Sequence, residues 1–305
     1  MTATTGTRAA RAPRPADEDE VEATPSGRQE SGLKVLLYVL AAVLSLIVFA
    51  VPLLFELFRS LQPKSVITAP PEGGTFFSVT LANFGNLLGA GDIAVPVLNS
   101  LIVSLATALL TAVLATLAGY GFAKFRFRIS NLLFGLIVLT MMVPFQAILT
   151  PLYLELNAMH LTDNLIGLVL FYTTVNLPFG VFVMRNAFES VPSELEDSGF
   201  VDGAGTLRVI VTVLRPLILP GFATAALYAF LASWTEFLGA LTFLTSANLY
   251  TLPLALVNLQ QGAYGQVDFG LLSAGAVVAM IPCIVLYVAL QRFYVAGLAS
   301  GAVKG

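Results

Sequence analysis

The stretch Val35-Leu-Leu-Tyr-Val-Leu-Ala-Ala-Val-Leu-Ser-Leu-Ile-Val-Phe-Ala-Val-Pro-Leu-Leu-Phe55 runs for 21 residues without a charge. An α-helix rises about 1.5 Å per residue, so about 20 apolar residues cross the ~30 Å hydrocarbon layer of a bilayer. This run is long enough to cross on its own. Five more follow it: Val97–Ala123; Leu132–Leu154, interrupted by Pro144 and Pro151; Leu165–Met184; Leu217–Leu244, which carries one carboxylate at Glu236; and Phe269–Leu290. Helices buried in a water-soluble protein are usually shorter and keep a polar stripe. The first run is also long for the apolar core of a secretory signal, and no clear small-residue cleavage site follows it. The expected fold class is all-α, a polytopic membrane protein with six transmembrane helices.

Composition agrees with that reading. Of the 305 residues, 57% are hydrophobic and 11% charged, against about 45–50% and about 25% in an average soluble domain. A chain this poor in charge cannot cover a water-soluble globule with charged residues. One Cys excludes an internal disulfide. One His beside it leaves no His/Cys metal cluster to build.

The placement of charge orients the spans. Thirteen of the fifteen Lys and Arg residues fall before span one, between spans two and three, around the segment joining spans four and five, or after span six. Only Arg59 and Lys64 fall on the opposite side, and loops 157–164 and 245–268 carry no Lys or Arg. The positive-inside rule then places both termini and the 185–215 segment in the cytoplasm. Residues 1–32, rich in Thr, Ala, Pro, Arg and acids with no apolar period, read as a disordered cytoplasmic tail. Residues 33–305 form the expected membrane domain.

Several chemistries are missing. A P-loop needs Gly-Lys-Ser/Thr to hold phosphates, but the four lysines follow Leu33, Pro63, Ala123 and Val303. There is no HExxH and no GxSxG. Charges inside the spans are too few for a relay of intramembrane proton carriers. Uphill transport by such a chain requires energy from another polypeptide, and hence a cytoplasmic docking surface.

The longest internal cytoplasmic segment, residues 190–215, has the features of a compact projection. Ser193 followed by Glu196 is a capping-box spacing after Pro192. Glu194, Glu196 and Asp197 lie in the first turns, where the helix dipole favours acids. Asp202-Gly203 supplies a turn, and Thr206 is placed to cap a return helix leading into span five. Ser198 and Gly199 leave part of the first helix without bulk, open to close approach by another surface. On its residues alone the segment reads equally as a capped connector or as a docking surface.

The same residues carry a resemblance. The segment resembles the EAA loop of ABC-importer permease subunits, whose pattern is Glu-Ala-Ala, three residues, Gly, nine residues and Ile-x-Leu-Pro. Here Asp197-Ser198-Gly199, Gly203 and Val213-Leu-Arg-Pro216 stand at those spacings, and Val201-Asp-Gly-Ala204 matches the usual core. Asn99-Ser-Leu-Ile102, Gly119-Tyr-Gly-Phe-Ala-Lys-Phe-Arg-Phe127, Met141-Met-Val-Pro144, Leu177-Pro-Phe179 and Trp234-Thr-Glu-Phe237 are similar to the carbohydrate branch of that family. So is the ending Gln291-Arg-Phe…Gly297-Leu-Ala-Ser-Gly-Ala-Val-Lys-Gly305, which resembles the second permease of maltose-type and glycerol-phosphate-type systems. The departures are Asp197 for Glu, Ser198 and Gly199 for two Ala, and Arg215 for Leu. Gly in a helix interior is worse than Ala by about 1 kcal/mol.

The resemblance implies a type I ABC importer permease fold and a carbohydrate or related solute moved by alternating access. It implies a non-enzymatic subunit without a cofactor of its own, ATP and Mg being held by partner ATPases. The implied partners are a second permease subunit in a heterodimer, two ATPase subunits docking at residues 193–203, and an extracytoplasmic solute-binding protein. The implied location is a bacterial-type cytoplasmic (inner) membrane. The coupling residues would be Glu194, Glu196, Asp197, Ser198, Gly199, Asp202, Gly203 and Ala204.

Polar and aromatic residues within the spans are usually turned inward, which makes Asn99, Tyr120, Gln146, Asn176, Tyr228, Trp234 and Glu236 the pathway candidates. Each has an alternative as an interhelical hydrogen bond or an interfacial anchor. The outer loop, with Asn248, Tyr250, Gln260, Gln261, Tyr264 and Gln266, faces the binding protein in this scheme. Three other readings stand beside it. A permease for a non-sugar solute fits the same loop. A self-powered carrier needs intramembrane coupling groups or an inverted repeat, and an intramembrane enzyme needs a nucleophile-base or metal set; none of these is visible in the chain.

Overall fold

The computed structural model describes residues 32–68, 78–90, 93–125, 127–261 and 267–302. The tail, Tyr264 and Gln266 lie outside them, as do the last three residues of the terminal signature. Helix α1 spans Gly32–Ser60, followed by the short α2, Lys64–Thr68, and by α3, Ala82–Ala90. Then come α4 (Ala94–Lys124), α5 (Ser130–Thr140), α6 (Phe145–Ala158) and α7 (Leu165–Glu189). The cytoplasmic segment of the sequence reading forms α8 (Ser193–Val201) and α9 (Thr206–Arg208), then a π-helical stretch, Val209–Leu214, that runs into α10 (Arg215–Thr235). Short α11 (Leu238–Phe243), a 3-10 turn (Ala247–Leu249), α12 (Leu252–Gln261) and α13 (Phe269–Ala302) complete the order.

The chain divides into two units, residues 1–51 and 52–305. In the first, the described part is the opening of α1, where Leu36, Leu46 and Phe49 are exposed apolar side chains. The division falls at Pro52, inside α1.

In the second unit α4 packs against α7 and α10, and α13 packs on α10 with α3 and α12. Helix α4 shows why this core belongs in a membrane. Its buried face is small and hydroxylated, with Ser100, Ser104, Thr107, Ala108, Thr111, Ala112 and Ala115. Its exposed face carries Leu98, Ile102, Leu105, Leu109 and Leu117. Lipid solvates large apolar side chains as well as a protein core does, so small residues that let backbones approach are the ones drawn inward. At Gly119 an added Cβ would stand 2.6 Å from the Met184 Cβ and 2.8 Å from the Arg185 nitrogen. The backbones of α4 and α7 meet there without room for a side chain.

Among the described residues five helical segments are long and apolar enough to cross a membrane, and a bent pair brings the number to six if counted as one span. That pair corrects the third expected span. In place of one run over 132–154, α5 and α6 meet at 99° across Met141–Pro144. Proline lacks an N–H and pushes the residue before it out of helical geometry, and Pro144 has ψ 126° at the start of α6. Pro151 and Pro178, by contrast, stay inside α6 and α7. A second correction concerns the fifth span, whose helix stops at Thr235 and does not pass through Glu236.

Candidate functional site

The segment between α7 and α10 is built from its turn chemistry. Gly203 sits at φ +77°, a left-handed conformation that costs a residue without Cβ little. The Gly203 N–H donates to Phe200 O at 3.0 Å and the Ala204 N–H to Gly199 O at 3.1 Å. Together these bonds make the Schellman arrangement that ends a helix on a glycine, so Val201-Asp-Gly-Ala204 is the C-terminal cap of α8. The other end differs from the expected capping box. Pro192 is the residue before the helix, no side chain caps it, and Ser193 is already helical. The return helix likewise starts after Gly205, with Thr206 inside it.

Within α8 the acids separate by face. Glu194 and Asp197 are exposed, as is Asp202 after it. Glu196 is 6% exposed and points into the bundle. The Tyr120 hydroxyl donates a short hydrogen bond to its Oε1, and Lys124 Nζ lies 3.3 Å from its Oε2. Gly199 is buried as well, and an added Cβ would meet Val209 Cγ2 at 3.0 Å and Val213 Cγ2 at 3.4 Å. The surface that closes on this small residue is the chain's own π-helical stretch. Ser198 is exposed and donates to Leu195 O at 2.8 Å, and Ala204 is half-buried. What faces away from the bundle is an apolar patch of Leu195, Phe200 and Val201, the last 87% exposed, among Glu194, Asp197 and Asp202.

The pathway candidates part company. The Asn99 amide donates to Asn248 O and Tyr250 O, each at 3.0 Å, and Ser100 Oγ accepts from the Leu252 N–H at 2.7 Å. Tyr120 is committed to Glu196. The Asn176 amide donates to Tyr172 O one turn back, at 2.7 Å. Trp234 is buried, with its indole N–H on Ala279 O at 3.0 Å. Glu236 accepts from the backbone N–H of Leu238 at 2.8 Å and of Gly239 at 2.8 Å, and from the Tyr172 hydroxyl at 2.7 Å. It therefore holds the first turn of α11. Gln146 and Tyr228 are exposed, and the Tyr228 ring lies 4.1 Å from that of Phe179.

Two functional-looking groups escaped the sequence reading. Lys124 entered it as a topology charge and as one letter of the 119–127 motif, with no partner assigned, although Tyr120 and Lys124 stand one turn apart on one helix face. Asp163, at φ 51°, accepts from the N–H of Thr245 and Ser246 at 2.8 and 2.9 Å and from the Ser246 hydroxyl at 2.5 Å. The hydroxyl of Ser246 and these two amides pull its carboxyl down to about 2. No spacing in the sequence connects residues 82 positions apart.

Residues 109–300 match the family described as the inner membrane component of binding-protein-dependent transport systems. The chain belongs to that family. It is 32% identical over 272 residues to the sulfoquinovosyl glycerol transport system permease protein of Agrobacterium fabrum, an alignment covering 89% of this chain and 94% of that one. It is 33% identical over 255 residues to the trehalose transport system permease protein of Mycobacterium tuberculosis, covering 83% and 92%. A chain of the solved bacterial ABC transporter involved in the import of the acidic polysaccharide alginate superposes with TM-score 0.75 and 20% identity, over 89% of this chain and all of that one. The fold is that of an ABC importer permease, as the EAA-loop resemblance implied, and the chain is a membrane-spanning permease subunit.

Proposed function

We propose that this chain is the permease of an ATP-driven importer for a carbohydrate or carbohydrate-like solute, with α8 as the helix that receives the ATPase. The observation that carries the proposal is the outward face of α8. It sets Leu195, Phe200 and Val201 in water beside Glu194, Asp197 and Asp202, and apolar groups presented this way mark a protein-binding surface. ATP with Mg is bound and hydrolysed on two partner ATPase subunits. A second permease subunit completes the pathway, and an extracytoplasmic binding protein delivers the solute. The basic residues grouped around α8 and both termini support a cytoplasmic location for all three in an inner membrane.

The sugar class rests on the solutes named for the two relatives and on the motifs shared with the carbohydrate branch. Gln146, which is exposed, and Tyr228, paired with Phe179, are the solute-contacting residues of this reading, since an amide can hydrogen-bond sugar hydroxyls and an aromatic ring offers them an apolar face. The binding protein meets the face carrying Asn248 and Tyr250, where a cavity of about 450 Å³ opens between Ile93, Pro96, Asn248, Tyr250 and Asn258.

Gly203→Pro tests the docking reading. Proline fixes φ near −65°, against +77° here, and removes the N–H bonded to Phe200 O. In the complex with its ATPase subunits and binding protein, solute-stimulated ATP hydrolysis is expected to fall by about tenfold, within the range of coupling energies between linked sites. Undiminished stimulation refutes it. A ligand screen on the co-purified binding protein that returns amino acids or metals and no sugars refutes the substrate class.

A further inference from the structure

Glu196 differs from every other acid of the cytoplasmic loop in facing the bundle. Lys124, its ionic partner, is also largely buried, with a side chain 14% exposed. The same ammonium donates to the carbonyl of Val191 at 3.1 Å. One lysine at the end of α4 thus holds the chain on both sides of Pro192, at the last residue before the helix-starting proline and at the first turn of α8. The Tyr120 ring that supplies the second bond to Glu196 packs edge-on against Phe188 of α7 at 5.3 Å and against Phe125 at 5.5 Å. The hydroxyl is therefore aimed by packing, and it has little freedom to swing away.

A buried ion pair is weak ground for claiming stability, because desolvation of both charges offsets their attraction. What such a pair does supply is a fixed geometry between the elements it joins. Here the elements are a surface helix and the central helix of the bundle. Beside Glu196 on the same face, one turn further along, α8 touches the π-helical stretch through Gly199, which is a contact of hydrocarbon groups and can slide. The polar attachment to α4 is directional and cannot. One residue before Tyr120, the backbone of Gly119 lies against that of Met184, so the end of α4 has no slack against α7.

We infer that Glu196, Tyr120 and Lys124 form a linkage that makes α8 and the end of α4 move as one body, delivering displacement of α8 directly to the centre of the bundle. The inference rests on the reading of α8 as the docking helix and assigns these three residues a part in it. Glu196 is then a positioning residue, set between the docking face and the spans, while Glu194, Asp197 and Asp202 face the ATPase.

The test uses the complete transporter in proteoliposomes, with ATPase subunits and binding protein. Glu196→Gln, Tyr120→Phe and the exchange pair Glu196→Lys with Lys124→Glu are compared for retention of the ATPase subunits, solute-stimulated hydrolysis and solute moved per ATP. A linkage predicts that the ATPases stay bound and hydrolysis persists, while solute moved per ATP falls about tenfold in Glu196→Gln and about threefold in Tyr120→Phe. The exchange pair recovers part of that loss relative to either of its single substitutions. An unchanged ratio in both single variants overturns the linkage. So does release of the ATPase subunits by Glu196→Gln, because that makes Glu196 a docking contact. If Glu196→Gln does not fold, Tyr120→Phe decides alone: it removes one hydroxyl and keeps the ring packed on Phe188 and Phe125. Absence of solute-stimulated hydrolysis in the unmodified complex is a separate result, which refutes the docking reading itself.

Discussion

At the Asn99 end of α4 the hydrogen-bond partners are mainly backbone atoms, and at the Tyr120 end they are mainly side chains. Those two residues are 21 positions apart on one helix, about 30 Å. Around Asn99, side-chain amides, hydroxyls and carboxylates hold main-chain groups of residues 245–252 and of α11, through Asn99, Ser100, Asp163 and Glu236. Around Tyr120, three ionisable or phenolic side chains from two helices meet one another. The first arrangement fixes the path of a loop and tolerates many residues in it. The second joins two helices and depends on all three side chains. One end of the molecule is shaped, and the other is linked.

The strongest way to break the linked end is steric. Gly119→Ala places a methyl within 2.8 Å of the Arg185 backbone nitrogen, where only a shift of α4 against α7 can relieve it. We expect a loss of about 3 kcal/mol, the upper part of the usual overpacking range, read as a lower thermal unfolding midpoint in detergent. At the shaped end Asn99→Ala removes both donors to Asn248 O and Tyr250 O, with an expected loss of about 2 kcal/mol. Its signature is faster proteolysis within residues 245–251, with the α8 region unaffected. If instead both regions become sensitive together, the two ends are one cooperative unit and the contrast fails.

The smallest effect is confined to acid. The Asp163 carboxyl is lowered from 3.8 to about 2, so its contribution to the folded state is complete above pH 3.8 and is lost as pH falls through about 2. The stability difference between the unmodified chain and Asp163→Asn should stay constant from neutral pH down to about 4 and shrink below it. A difference that grows on acidification reverses the sign and rules out the proposed hydrogen bonding.

Much of this architecture is legible in the residues because each rule acts locally. An uncharged run marks a span wherever it lies, and Asp202-Gly203 announces a helix end because the turn needs positive φ at its glycine. The direction of Glu196 is not legible in that way. Glu196 and Asp197 are neighbours about 100° apart around a helix, and which of them turns inward is decided by where α8 settles on α4. Glu236 is similar. A carboxylate inside an apolar run invites a functional reading, and only the folded chain shows the N–H groups of α11 already occupying it. The 99° corner after Thr140 lies between these cases, since Pro144 marks its place and tertiary packing sets its angle.

The π-helical stretch Val209–Leu214 gives the helix from Thr206 to Thr235 one residue more than its regular turns need. Each residue advances an α-helix by about 100°, so that surplus decides the phase between α10 and everything before it. Val209 and Val213, which meet Gly199, both lie inside the stretch. Insertion or deletion of one residue in this stretch would therefore turn α10, which packs against α4 and α7, by about 100° relative to the loop that precedes it.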